Sequence, residues 1–131
     1  MKRPILIIED NDQNMYLTTF ILESSGHQVV QAWDGREGIK RASEVNPKLI
    51  ILDIQLPEMD GYAVAEALRG SDYLGDVPII AVTSYAMVGD RERILAAGCT
   101  GYIEKPINPE TFMTQINTFL SKEAAGEGSS Q

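Results

Sequence analysis

The run "ILIIEDNDQN", residues 5–14, decides the fold. Four aliphatic side chains follow one another and then stop on the carboxylates of Glu9 and Asp10. A strand with one wet face alternates apolar and polar residues, whereas a strand covered on both faces does not. Residues 5–8 therefore read as an interior strand of a parallel sheet. Runs at residues 49–52 and 79–82 have the same character, and shorter ones lie at 29–30 and 102–103.

The segments between these runs carry helix signals. Met15, Leu17, Phe20 and Ile21 supply an apolar stripe that Gly26 stops. Asp34 with Glu37 three residues later forms a capping box for a helix through Val45, ended by Pro47. Asp60 caps a helix bearing Val64, Ala67 and Leu68 that ends near Gly70. A fourth helix runs from Arg91 to Ala97 and closes at Gly98. Asn108 and Pro109 open the last, whose buried face is Phe112, Ile116, Phe119 and Leu120. Five β/α units wound by right-handed crossovers give an α/β fold, a parallel sheet with helices on both sides. The domain is expected over residues 1–122, with the small, polar segment 123–131 as a disordered tail.

Composition narrows the function. The chain has 131 residues, enough for one domain with its own core. A net charge of −8 lacks the basic footprint of a nucleic-acid binder. No stretch approaches the run of about 20 apolar residues that spans a bilayer. The single cysteine, Cys99, excludes an internal disulfide and fits a reducing cytoplasm; in "AAGCTGY" it reads as a small core residue. His27 has no Cys or His beside it and reads as a surface turn residue, and Trp33 as packing over its loop.

Sites in open parallel sheets form at the carboxyl ends of the strands. Read that way, the rim receives Glu9 and Asp10, then Asp53, then Thr83, then Lys105. Each has an ordinary alternative, as a cap, a backbone-bonded hydroxyl or a solvated amine, and Asp12 is assigned to capping. Capping alone does not put complementary chemistry on four strand ends. Clustered carboxylates demand a cation, and oxygen ligands favour a hard one such as Mg²⁺. A metal, a lysine and a hydroxyl aimed at one carboxylate suit phosphoryl transfer, with Asp53 as the nucleophile.

The acidic pair Glu9–Asp10, "DIQLPEMDG" from Asp53, Thr83, and "AGCTGYIEKPI" from Ala97 together resemble the receiver domain of two-component response regulators. "EDNDQN" and "AMVGDRERI" further resemble stand-alone cell-division regulators and receivers of hybrid histidine kinases. The resemblance implies a flavodoxin-like (βα)5 sheet of strand order 2-1-3-4-5. It implies that Asp53 accepts a phosphoryl group from a phosphohistidine on a histidine kinase or phosphotransfer protein. Asp10, Asp53 and the Gln55 carbonyl would ligate Mg²⁺ (or Mn²⁺), with Glu9 acting through bound water. Lys105, followed by a cis bond to Pro106, and Thr83 would hold phosphoryl oxygens, and Tyr102 would turn inward on activation. The output would be altered affinity for a downstream protein rather than multiple-turnover catalysis.

Other positions carry less specific expectations. The resemblance puts phosphodonor docking at Asn14 and Met15, with Tyr85, Met87 and Pro106 as further candidates for partner contact. Met87 reads equally as a seal over its loop, and Tyr85 as an aromatic shield over the phosphoryl group. Two other classes share the layout. A phosphatase of the haloacid-dehalogenase type would need an acid where Gln55 stands. An FMN-binding flavodoxin would need a phosphate cradle where "EDNDQN" is acidic.

Overall fold

A computed structural model describes residues 3–56 and 58–129, with side chains described through residue 121. The elements in order are β1 (Ile5–Ile8), α1 (Asp12–Ser24), β2 (Val29–Ala32), α2 (Gly35–Val45) and β3 (Leu49–Asp53). They continue as α3 (Gly61–Arg69), β4 (Ile79–Thr83), α4 (Val88–Ala96), β5 (Gly101–Glu104) and α5 (Pro109–Ser129). The strands pair in parallel in the order β2-β1-β3-β4-β5. Strand order reverses between β1 and β3, so a crevice opens above their carboxyl ends.

The uninterrupted apolar runs now have a physical explanation. Leu6, Ile8, Ile50, Leu52, Ile79 and Ala81 face one core with residues of α2, α3 and α4. Ile5, Ile7, Leu49, Ile51, Ile80 and Val82 face a second core with α1 and α5. Alternate side chains enter opposite cores, so neither face of the central strands tolerates polarity. Each fully buried aliphatic side chain stabilises the fold by roughly 1.5–3 kcal/mol.

Local chemistry sets the helix ends. Asp34 accepts from the Glu37 amide at 2.8 Å, and Glu37 Oε1 accepts from the Trp33 amide at 2.7 Å. The Asp60 carboxylate accepts from the Tyr62 amide, and Asn108 from the Glu110 amide. At the end of α4 the Cys99 amide reaches back to the Ile94 carbonyl and the Gly98 amide to that of Leu95, the paired bonds of a Schellman motif. Gly98 holds φ 102° there, and a Cβ would lie 2.8 Å from Arg69. Arg69 in turn donates to the carbonyls of Gly98, Gly75 and Val77, tying two loops to α3.

Several expectations need correction. Asn11, not Asp12, caps α1, accepting from the Asn14 amide at 2.9 Å. Asp12 is the first helical residue, where a carboxylate still favours the helix dipole. The core stripe of α1 is Met15, Thr18, Ile21 and Leu22, while Phe20 is 58% exposed. Phe20 stands about 140° around the helix from Met15 and stacks on Tyr16, ring centroids 6.4 Å apart. Helix α4 begins at Val88 rather than Arg91, because the Asp90 carboxylate accepts from the Met87 amide and supplies an end signal from inside the helix. Helix α5 runs past the expected boundary at residue 122 to Ser129; residues 122–125 are good helix formers, whereas Gly126 and Gly128 are not. Residues 130 and 131 of the expected tail lie outside the described residues. No helix among the described residues is long and apolar enough to cross a membrane.

Candidate functional site

Asp53 is the last residue of β3 and Thr83 the last of β4; both are buried, at 2% and 1% exposure. Glu9 and Asp10 follow directly on β1, the neighbouring strand of β3. Carboxylate oxygens of Glu9, Asp10 and Asp53 all lie within 4.8 Å of one another. Glu9 is buried, Asp10 exposed, so the cluster is closed below and open to solvent above.

The donors around Asp53 are few and well placed. Lys105 Nζ stands 3.2 Å from Asp53 Oδ1, and the Gln55 amide donates to the same oxygen at 2.9 Å. Lys105 comes from the loop after β5, where the bond to Pro106 is cis. On the other side of the cluster, the Asn11 amide donates to Glu9 Oε2 at 3.2 Å. Glu9 nevertheless keeps its proton far above the usual range. Burial first, then a hydrogen bond and repulsion from Asp53, raise its pKa to about 8, against the pull of the Asn11 amide and Lys105. One lysine does not neutralise three carboxylates. The donor set is all oxygen and short of positive charge, which fits a hard divalent cation.

The Gly61 end of the loop after β3 fixes this geometry from below. A Cβ on Gly61 would collide with the Ile54 carbonyl oxygen, so only glycine lets α3 start that close to the end of β3.

Not every expected residue reaches the site in the same way. Thr83 Oγ1 is turned into its own loop, accepting from the Tyr85 amide at 3.0 Å and donating to the Tyr85 carbonyl at 3.2 Å. Tyr102 is half-buried against the core, with the Arg91 guanidinium 5.4 Å from its ring centre. Tyr85, Met87 and Pro106 are exposed or half-exposed and Asn14 is half-buried, but Met15 is completely buried in the core. Met15 thus offers no docking surface; it lies on the inward stripe of α1, and Tyr16 beside it faces solvent. Cys99 is an inert core thiol, its pKa pushed up to about 11 by burial.

Three features escaped sequence reasoning. Gln55 Oε1 accepts from the Ser84 amide at 2.8 Å, joining the loops after β3 and β4. Arg91 donates to the Ala86 carbonyl at 2.8 Å while lying over Tyr102. Trp33 is 40% exposed and lines a cleft of about 200 Å³ together with Asp10, Leu56 and Met59, so it borders the acids as well as packing. The Gln55 and Trp33 contacts, and that of Arg91 with Tyr102, join separate β/α units and leave no local signal, whereas the Arg91–Ala86 bond lies within five residues at the start of α4.

Comparison with known proteins now bears on this geometry. The family model of the response regulator receiver domain matches residues 5–117. The chain belongs to that family. Receiver domains of two-component response regulators are phosphoacceptor switches that bind Mg²⁺ at an acidic pocket, and this chain gathers Glu9, Asp10 and Asp53 in one acidic cluster. The chain is 42% identical over 120 residues to the polar-differentiation response regulator DivK of Brucella anthropi, covering 92% of this receiver and 98% of DivK. The receiver domain of sensor histidine kinase PA1611 from Pseudomonas aeruginosa PAO1 superimposes with a TM-score of 0.83 at 31% identity. That match covers 92% of this chain and 99% of the other, whose structure has a magnesium ion coordinated in the active-site cleft. Chemotaxis protein CheY4 of Vibrio cholerae gives a TM-score of 0.86 at 27% identity over 90% of this chain and 98% of its own.

Proposed function

We propose that Asp53 is the phosphoacceptor of this receiver and that its donor is a phosphohistidine on a histidine kinase or phosphotransfer protein. An Asp53 carboxylate oxygen forms the new bond to phosphorus as the phosphorus–nitrogen bond breaks, and that electron pair returns to the imidazole. The observation that carries the reading is one buried carboxylate with a lysine amine at 3.2 Å and two further acids within 4.8 Å. Asp10, Asp53 and the Gln55 carbonyl are the residues to hold Mg²⁺, or Mn²⁺ in its place, with Glu9 acting through water. The ion would supply charge neutralisation for phosphoryl oxygens beside three carboxylates.

The chain's own groups do the rest. Lys105 orients and neutralises one phosphoryl oxygen, and release of Thr83 Oγ1 from the Tyr85 backbone offers a hydroxyl to another. Movement of that loop frees Arg91 and Tyr102 to rearrange the surface of α4, β5 and α5 that a downstream protein reads. Asn14, Tyr85, Met87 and Pro106 remain the exposed or half-exposed candidates for partner contact. The receiver is read as working in the cytoplasm without contact to nucleic acid or membrane. Gln55 stands where an enzyme with multiple turnover would place a general acid, and its amide serves as an acceptor instead. Incubation with acetyl phosphate and Mg²⁺ followed by intact-mass measurement tests the assignment. One labile phosphoryl group is expected, absent from Asp53→Asn; normal labelling of that variant overturns it.

A further inference from the structure

The parallel ladder between β3 and β4 ends with the Ile54 amide donating to the Val82 carbonyl at 3.1 Å. In a parallel pair the next bond would bring the amide two residues after Val82 onto the Ile54 carbonyl. That amide belongs to Ser84, and it donates to Gln55 Oε1 at 2.8 Å instead. The side chain of a residue two places after Asp53 thus sits on the first N–H beyond the β4 strand end. Gln55 is anchored at its other end, since its own backbone amide donates to Asp53 Oδ1 at 2.9 Å.

A phosphoryl group on Asp53 would bring three strong acceptor oxygens to this rim. The donors that face it are already engaged. Lys105 and the Gln55 backbone amide are on Asp53, Thr83 Oγ1 is on Tyr85, and the Ser84 amide is on the Gln55 side chain. Lys105 and the Gln55 backbone amide already hold a charged oxygen, so a phosphoryl oxygen there replaces one charged acceptor with another. The Ser84 amide is held by a neutral acceptor at the exposed edge of the site, where exchange of partners leaves no buried charge unpaired.

We propose that the Gln55 side-chain carbonyl is an internal competitor for the Ser84 amide: it stands in for a phosphoryl oxygen and holds the loop after β4 in the unphosphorylated arrangement. The inference rests on Asp53 being the phosphoacceptor. Gln55 is in this account a positioning residue, acting on the loop rather than on phosphorus. Phosphorylation moves the Ser84 amide from Gln55 to the phosphoryl group, and the freed Gln55 side chain turns to solvent. Loss of the competitor would therefore favour the phosphorylated loop arrangement without any new contact to the group.

The test uses the full chain with Mg²⁺ and beryllofluoride, a mimic of the acyl phosphate, in titrations of the natural sequence, Gln55→Met and Asp53→Asn. Gln55→Met keeps the side-chain length and the backbone carbonyl but removes the acceptor. It should bind the mimic roughly threefold to tenfold tighter, the worth of one neutral hydrogen bond, and its Ser84 amide should exchange faster than in the natural sequence when no mimic is present. Equal or weaker binding by Gln55→Met, or unchanged Ser84 exchange, overturns the competitor while leaving Asp53 in place. Failure of the natural sequence itself to bind, or binding equal to that of Asp53→Asn, removes the phosphoacceptor assignment and the competitor with it.

Discussion

Replacing Glu9 by glutamine tests the electrostatics of the acid cluster most directly. The amide side chain would keep the shape and still accept from the Asn11 amide, which meets Glu9 Oε2 at 3.2 Å. What the substitution removes is a proton equilibrium. The folded chain without metal holds the Glu9 proton up to about 8, against an ordinary value of 4.5. Above pH 4.5 the unfolded chain releases that proton and the folded chain keeps it, so folding stability contributed by Glu9 is lost as pH rises through this window. The shift is worth at most about 5 kcal/mol at pH 8 and above, at 1.36 kcal/mol per pH unit. The cluster is open to water on the side of Asp10, so screening reduces this to on the order of 2 kcal/mol.

Thermal unfolding in a chelator between about pH 5 and pH 8.5 measures the effect. Glu9→Gln should match the natural sequence near pH 5 and exceed it near pH 8.5 by about 5–8 °C in Tm. Millimolar Mg²⁺ should raise the Tm of the natural sequence more at pH 8 than at pH 6, because the ion competes with the Glu9 proton. Parallel pH profiles for the two proteins would refute the raised pKa and the neutralisation argument built on it.

Two further measurements test the placement of side chains. Met15→Ala should cost about 2–5 kcal/mol in urea unfolding, as a fully buried methionine, while Phe20→Ala should cost under about 1 kcal/mol; equal costs would mean that α1 presents a different face to the core. Trp33 is the single tryptophan of the chain and shares a cleft with Asp10, so its fluorescence should change as Mg²⁺ saturates the site. An unchanged emission spectrum at Mg²⁺ concentrations that raise the Tm would contradict that placement.

The sequence by itself determined the layout. Uninterrupted aliphatic runs require strands covered twice, and the alternation of runs with helical stripes leaves a doubly wound sheet. Asp34, Asp60 and Asn108 announce helix starts because capping acts within two or three residues. The same locality made Glu9, Asp10, Asp53, Thr83 and Lys105 legible, since each stands at or just beyond the end of a run and parallel strands bring those ends to one rim.

Tertiary structure decided everything that depends on which groups meet across units. The face that α1 turns to the sheet buried Met15 and exposed Phe20, a choice that a mixed apolar stripe leaves open. The register of β3 against β4 put Ser84, 29 residues from Gln55, within one hydrogen bond of it. The Thr83 hydroxyl bonds within its own loop, to the Tyr85 backbone, rather than to Asp53. Burial of Glu9 beside Asp53 turned an ordinary carboxylate into one that holds its proton to about pH 8. Desolvation and loop-to-loop hydrogen bonds belong to the assembled surroundings of a group, which no short stretch of sequence contains.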